Sequence, residues 1–153
     1  MTGRADHFAY RHTVAFAETG LCGTADYVNY LHWQSSCRQR FLSEAIPFAE
    51  ETPDGTRLFT LQVDCELLEA VRALDQLSIR MRVARLGHTE FDLDFEYVRE
   101  TRDGDTPVAR GRQRVAVMSG PADAPVPALI PDALAQALAP YAAGPRPTAG
   151  RQI

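Results

Sequence analysis

The chain contains no lysine: all sixteen of its basic residues are arginine, a bias that reports a GC-rich coding sequence and not a mechanism. Acidic residues outnumber basic ones, 20 to 16, for a net charge of -4. Phosphate binding is driven mainly by basic surface, so nucleic acid is excluded as the partner and a weakly acidic enzyme or binder fits better. Cysteine is scarce. Cys22, Cys37 and Cys65 form no C-x-x-C pair and no metal-ligand spacing, and their odd number argues against a disulfide framework. His7, His12, His32 and His88 show no H-E-x-x-H or related spacing. Reduced thiols are expected, with no metal and no cofactor. No apolar run approaches the roughly twenty residues of a membrane span, and MTGRADHFAY lacks an apolar signal region. The expectation is a cytoplasmic protein that does not touch the membrane.

What is present is enough apolar material for a core. With 153 residues, 45% of them hydrophobic, the chain is expected to form one domain without staples. The stretch from Phe16 to Leu42 organises it. Residues 7–19 alternate as a strand, with Phe8, Tyr10, His12, Val14 and Phe16 on one face. Gly20 and Gly23 then bracket a turn in which backbone can approach a ligand closely, and a helix over about 25–44 aims its free amides at that turn. Thr24 or Asp26 is the expected cap. Such a junction seats an oxyanion or a thioester carbonyl. One helix stripe reads Tyr27, Tyr30, Leu31, Gln34, Arg38, Phe41 and Leu42, and Val28, Trp33 and Cys37 make the other side apolar too. A helix apolar nearly all round calls for a domain wrapped around it.

From residue 57 the chain reads as consecutive strands: 58–71, 77–86, 90–102 and 108–119, punctuated by Gly87 and Asp103-Gly104. Side-chain identity predicts their register. A turn at 87–89 sets Arg82 against Asp94, Arg80 against Glu96, Val83 against Leu93 and Met81 against Phe95. A turn at 103–105 sets Glu96 against Arg112, Asp94 against Arg114, Leu93 beside Val115 and Phe91 beside Val117. One face becomes an arginine and acid ladder, the other core, and a one-residue slip would bury the charges. Residues 120–131 read as irregular, 132–141 as a short helix, and 144–153 as a flexible tail beyond a domain of 1–143. Strand, buried helix, then four antiparallel strands describe an α+β hotdog fold, an antiparallel sheet around one long central helix. Its open edge predicts a homodimer or a dimer of dimers.

Phe16-x-x-Thr19-x-x-x-Gly23, Tyr27-Val28-Asn29-Tyr30-Leu31-x-Trp33 and Cys37-Arg38-x-x-Phe41-Leu42 resemble the signature of 4-hydroxybenzoyl-CoA thioesterase-like hotdog proteins. The wording YVNYLHWQSSCRQRFL is similar to the thioesterases that accompany enediyne polyketide synthases. The resemblance implies hydrolysis of an acyl thioester on the acyl carrier protein of a polyketide synthase, a β-keto polyene in the enediyne branch. Where the wider family carries its catalytic carboxylate this chain has Gly20, so the usual nucleophile or base is missing. What the resemblance leaves is the backbone N–H of Tyr27 as oxyanion donor and Arg38 as cation, with water attacking an activated carbonyl. Gly20, Leu21, Cys22, Gly23, Asn29, Tyr30 and Gln34 are the expected substrate-binding positions. Glu18 is the nearest carboxylate and a possible base, more plainly read as a salt-bridge partner. Two other readings stand beside this one: an acyl-CoA thioesterase of general metabolism, and an acyl-binding hotdog module that does not hydrolyse.

Overall fold

The computed structural model describes residues 6–46 and 55–142. Six strands form one antiparallel sheet: β1 (Phe8–Thr13), β2 (Arg57–Leu67), β3 (Gln76–Leu86), β4 (Glu90–Thr101), β5 (Gly104–Ser119) and the short β6 (Val126–Pro127). The order is β1-β3-β4-β5-β2, with β6 paired to β5, so β1 and β2 are the edges. Helix α1 (Tyr27–Ala45) lies between β1 and β2 in the chain, and α2 (Asp132–Leu138) closes the described residues with a 3-10 turn over Ala139–Tyr141. The polar loop before residue 55 and the tail expected at 144–153 lie outside the described residues.

Alternation builds the sheet. On β4 Phe91, Leu93, Phe95 and Tyr97 are buried while Asp92, Asp94 and Glu96 face out, the period of two that a half-buried strand requires. The β3–β4 register matches the side-chain reasoning at all four expected pairs, including Arg82 with Asp94 and Met81 with Phe95. The β4–β5 register differs. Glu96 pairs with Arg110, Asp94 with Arg112 and Phe91 with Val115, two residues from the expected partners. The turn is tighter, with Thr101 opposite Gly104, and β5 carries an extra residue where the register shifts between Tyr97 and Val98. A slip of two keeps every side chain on its face, which is why charge pattern alone accepts either alignment.

The first expected strand is shorter than 7–19. It stops at Thr13, and Phe16–Glu18 form a 3-10 turn. Helix α1 is nineteen residues long, and Tyr30, Trp33, Gln34, Cys37 and Phe41 are its buried positions. His32, Gln39, Arg40, Ser43 and Glu44 are exposed, so within one chain the helix is covered on one side and not enclosed. The core is Tyr30, Trp33, Cys37 and Phe41 of α1 set against Ile79, Met81, Phe91, Leu93, Phe95, Tyr97 and Val115, with Leu134 and Leu138 of α2 beside them. Tyr97 ties the layers together. Burial pushes its phenol well above the ordinary value, so it stays protonated and donates to the Tyr30 carbonyl at 2.7 Å.

Candidate functional site

The turn before α1 is fastened almost entirely by backbone. Gly20 N–H donates to the Thr24 carbonyl, Gly23 N–H to the Gly20 carbonyl, Ala25 N–H to the Val71 carbonyl and Asp26 N–H to the Glu18 carbonyl. Gly23 sits at φ +83, where a side chain is disfavoured. Gly20 has no such constraint, and a Cβ there would meet nothing within 4 Å. Gly20, Leu21, Cys22 and Gly23 are all exposed, at the surface of the single chain.

Asp26 occupies the N-cap position, but its side chain accepts no capping bond. Asn29 takes over, its side-chain amide donating to the carbonyls of Glu18 at 2.8 Å and Asp26 at 3.3 Å. Its donor group is therefore engaged in holding the turn against the helix. The Tyr27 and Val28 amides, the first two of α1, have no acceptor among the described residues, as expected of a helix tip. A shallow groove of ≈ 330 Å³ opens there, lined by Tyr27, Leu31, Val63, Asp64, Cys65 and Leu67.

Glu18 is bound elsewhere. Its carboxylate accepts from Ala15 N–H at 2.8 Å, His12 Nε2 at 2.8 Å and Trp33 Nε1 at 3.0 Å. Burial alone would raise its pKa, but the Ala15 amide, His12 and Trp33 together outweigh that and hold it below the ordinary carboxylate value. A carboxylate held by three donors is a poor base; Glu18 joins β1, the 3-10 turn and α1. Tyr30 is core: its ring lies 5.0 Å from that of Trp33 and 5.7 Å from that of Tyr97.

One stripe of α1 faces the edge strand instead of the core: Tyr27, Leu31, Gln34 and Arg38, at helical spacing. Gln34 Nε2 donates to the Asp64 carbonyl at 2.9 Å, and Gln34 Oε1 accepts from Gln113 Nε2 at 3.0 Å. Gln113 Oε1 then accepts from Arg38 Nη1 at 2.8 Å, and Thr60 Oγ1 accepts from the same nitrogen at 2.8 Å. Arg38 Nε is buried without a partner. Burial lowers the Arg38 pKa, yet a guanidinium remains charged in proteins. No carboxylate of the described residues lies within ion-pair distance of it. Gly111 makes this packing possible, since a Cβ there would overlap the Gln34 amide and stand 2.6 Å from the Asp64 carbonyl.

The structure thus places Arg38 inside, and brings it together with Gln34. It does not bring it to the helix tip: at 1.5 Å per residue the two positions lie about 16 Å apart along the axis. Gln113, Thr60 and Gly111 were not legible as site residues. Their only signal is a glutamine on the inward phase of β5, between Gly111 and Val115, and the two-residue register difference hides what it faces.

The profile of the thioesterase-like superfamily matches residues 14–138. Among solved structures, the dynemicin thioesterase, studied for induced-fit and allosteric effects upon polyene binding, is 34% identical over 88% of this chain and 96% of that one, with a TM-score of 0.82. A 4-hydroxybenzoyl-CoA thioesterase variant complexed with 4-hydroxybenzoyl-CoA shares 14% identity over 88% and 99%, TM-score 0.76. A 1,4-dihydroxy-2-naphthoyl-CoA thioesterase from Synechocystis shares 16% over 87% and 96%, TM-score 0.74. At those identities the last two carry the fold alone. No curated protein sequence matches the chain.

Proposed function

Since the chain belongs to the thioesterase-like superfamily, we propose that it hydrolyses a polyene acyl thioester, β-keto at its activated end, presented on the acyl carrier protein of an iterative enediyne polyketide synthase. Its likeness to the dynemicin thioesterase supports the acyl class. The observation that carries the chemistry is Arg38, a half-buried cation whose partners among the described residues are neutral. Water adds to the thioester carbonyl carbon and the carbonyl oxygen takes the negative charge; the carbon–sulfur bond then breaks as the carbonyl reforms, and a proton of the added water passes to the departing sulfur, leaving the free acid and the carrier thiol. The Tyr27 N–H and Arg38 stabilise the developing charge, each such group lowering the barrier by about 3–4 kcal/mol. Glu18, held by its own three donors, takes no part, and the substrate runs past Leu31, with the buried Gln34 behind it and the turn residues Gly20 to Gly23 at its mouth.

The separation of helix tip and cation supports a pocket between two copies. Among the described residues β2 is an open edge, with Leu61, Val63 and Leu67 exposed along it and Val63 and Leu67 lining the groove. Two hotdog domains of residues 1–143 joined antiparallel along β2 cover that edge, complete the sheet around the helices and carry the tip of one α1 toward Arg38 of the other. No helix of the described residues is long and apolar enough to cross a membrane, which suits a cytoplasmic carrier partner.

The test is mass spectrometry of an acyl carrier protein loaded with a β-keto polyene chain. Wild type releases the acid, or the methyl ketone left by its decarboxylation. Arg38→Ala slows release about a hundredfold or more. A carrier that stays intact with wild type refutes hydrolysis and favours the acyl-binding module, a reading supported by Gly20 and the engaged Glu18. Release from acyl-CoA but never from the carrier points to the general acyl-CoA thioesterase.

A further inference from the structure

Gln113 is 3% exposed and Gln34 0%, and both amides are oriented by a single fixed end. The Asp64 carbonyl can only accept, so Gln34 must turn its Nε2 toward it and its Oε1 away. Gln113 must then present Nε2 to Gln34 and Oε1 to Arg38. The direction of the chain is forced from β2 to the guanidinium. An apolar residue at 113 would suit the neighbouring Val115 and Leu93, since a buried amide costs free energy unless its bonds are made. A glutamate would grip the guanidinium harder but would cancel its charge. Glutamine, with the Thr60 hydroxyl on the same Nη1, holds the cation without neutralising it.

We infer that Gln113 and Thr60 are positioning residues for thioester cleavage, fixing the Arg38 guanidinium through neutral acceptors so that its full charge meets the reacting oxygen. This rests on the thioesterase reading above. Neither residue touches substrate; both act through Arg38. The test compares wild type, Arg38→Ala, Gln113→Glu and Thr60→Val on β-ketooctanoyl-CoA with thiol release as the readout. Gln113→Glu lowers kcat about tenfold to a hundredfold, the scale of a displaced catalytic group, and leaves KM within about threefold. Its activity returns as pH falls and the new carboxyl is protonated, an acid limb that wild type lacks. Thr60→Val, at an edge-strand position exposed in the single chain, lowers kcat several-fold with the melting midpoint within about 2 °C of wild type, and carries the test alone if Gln113→Glu does not fold. If Arg38→Ala is inactive while Gln113→Glu and Thr60→Val keep wild-type kcat and pH profile, the positioning role is overturned and the thioesterase reading stands. If wild type frees no thiol from this thioester or from a loaded carrier protein, the reading itself fails and this inference falls with it.

Discussion

Gly111→Ala tests the glycine with the closest neighbours among the described residues. The added Cβ would overlap the Gln34 amide, stand 3.2 Å from Gln34 Cδ and 2.6 Å from the Asp64 carbonyl. The carbonyl is backbone of β2, held by the ladder that pairs Cys65 with Gly111, and the amide is fixed at both ends. Neither can step aside cheaply. Overpacking of this kind costs about 1–3 kcal/mol, and losing the Gln34 bond to Asp64 or Gln113 leaves a buried polar group at about 1–3 kcal/mol more. Stiffening the unfolded chain returns about 0.4–1 kcal/mol. The expected net loss is about 2–4 kcal/mol, or roughly 5–15 °C in melting midpoint for a chain of this length. Circular dichroism melts and urea unfolding measure it, with Gly20→Ala, where the Cβ meets nothing, as control. A double-mutant cycle with Gln34→Ala adds a second reading: the cost of Gly111→Ala falls by about 1 kcal/mol or more when the amide is gone. A Gly111→Ala protein melting within about 1 °C of wild type would refute the packing, and with it the fixed orientation of Gln34.

The remaining predictions concern the turn and the outer face. Glu18→Gln costs about 1–3 kcal/mol at neutral pH, because charge-assisted bonds to Ala15, His12 and Trp33 are weakened. The folded pKa of Glu18 is depressed, so its stabilisation is complete above the unfolded carboxylate value and is lost as pH falls through the folded one. Melts from pH 7 down to about 3 should therefore show a steeper acid loss for wild type than for Glu18→Gln, and parallel curves would count against the clamp. Gly23→Ala, at φ +83, costs about 1–2 kcal/mol, whereas Gly20→Asp shifts stability by less than about 0.5 kcal/mol. The reverse ranking would contradict the left-handed conformation at Gly23. Arg112→Ala breaks the 2.8 Å pair with Asp94 on the exposed sheet face and changes stability by less than about 1 kcal/mol in urea titration.

The sheet was legible because its two faces differ in chemistry. Arg80 and Arg82 opposite Glu96 and Asp94 admit only registers of the right parity, and β3–β4 follows them. The β4–β5 alignment was legible only to within two residues, since the bulge that sets it lies at Val108 and leaves no mark in the alternation. The helix was legible in length, but not in which flank is covered: Trp33 and Cys37, assigned to the far side, are buried, and Val28 is exposed. Arg38 came from resemblance. Its partners were hidden because glutamine and threonine carry no charge pattern, and because Gln113 finds Arg38 across 75 residues of sequence.

The sheet's outward arginines behave in another way, and the contrast bears on what Arg38 is for. Arg112 meets Asp94 and Arg110 meets Glu66, each in contact with water and each exchangeable at little cost. Arg38 is removed from most of that water and given amide and hydroxyl oxygens instead of a carboxylate, an arrangement that lowers stability relative to a paired ion. Folding explains a donor at this position, since without one the buried Gln113 Oε1 loses its bond, but it does not explain a cation. A negative charge that exists only while a carbonyl is being attacked does give a reason. In the proposed hydrolysis the cation stabilises the reaction's high-energy point more than its ground state, which is the condition for raising kcat. A carboxylate at position 113 would satisfy the cation permanently and remove that difference, so the neutrality of its partners is the property on which the catalytic reading of Arg38 turns.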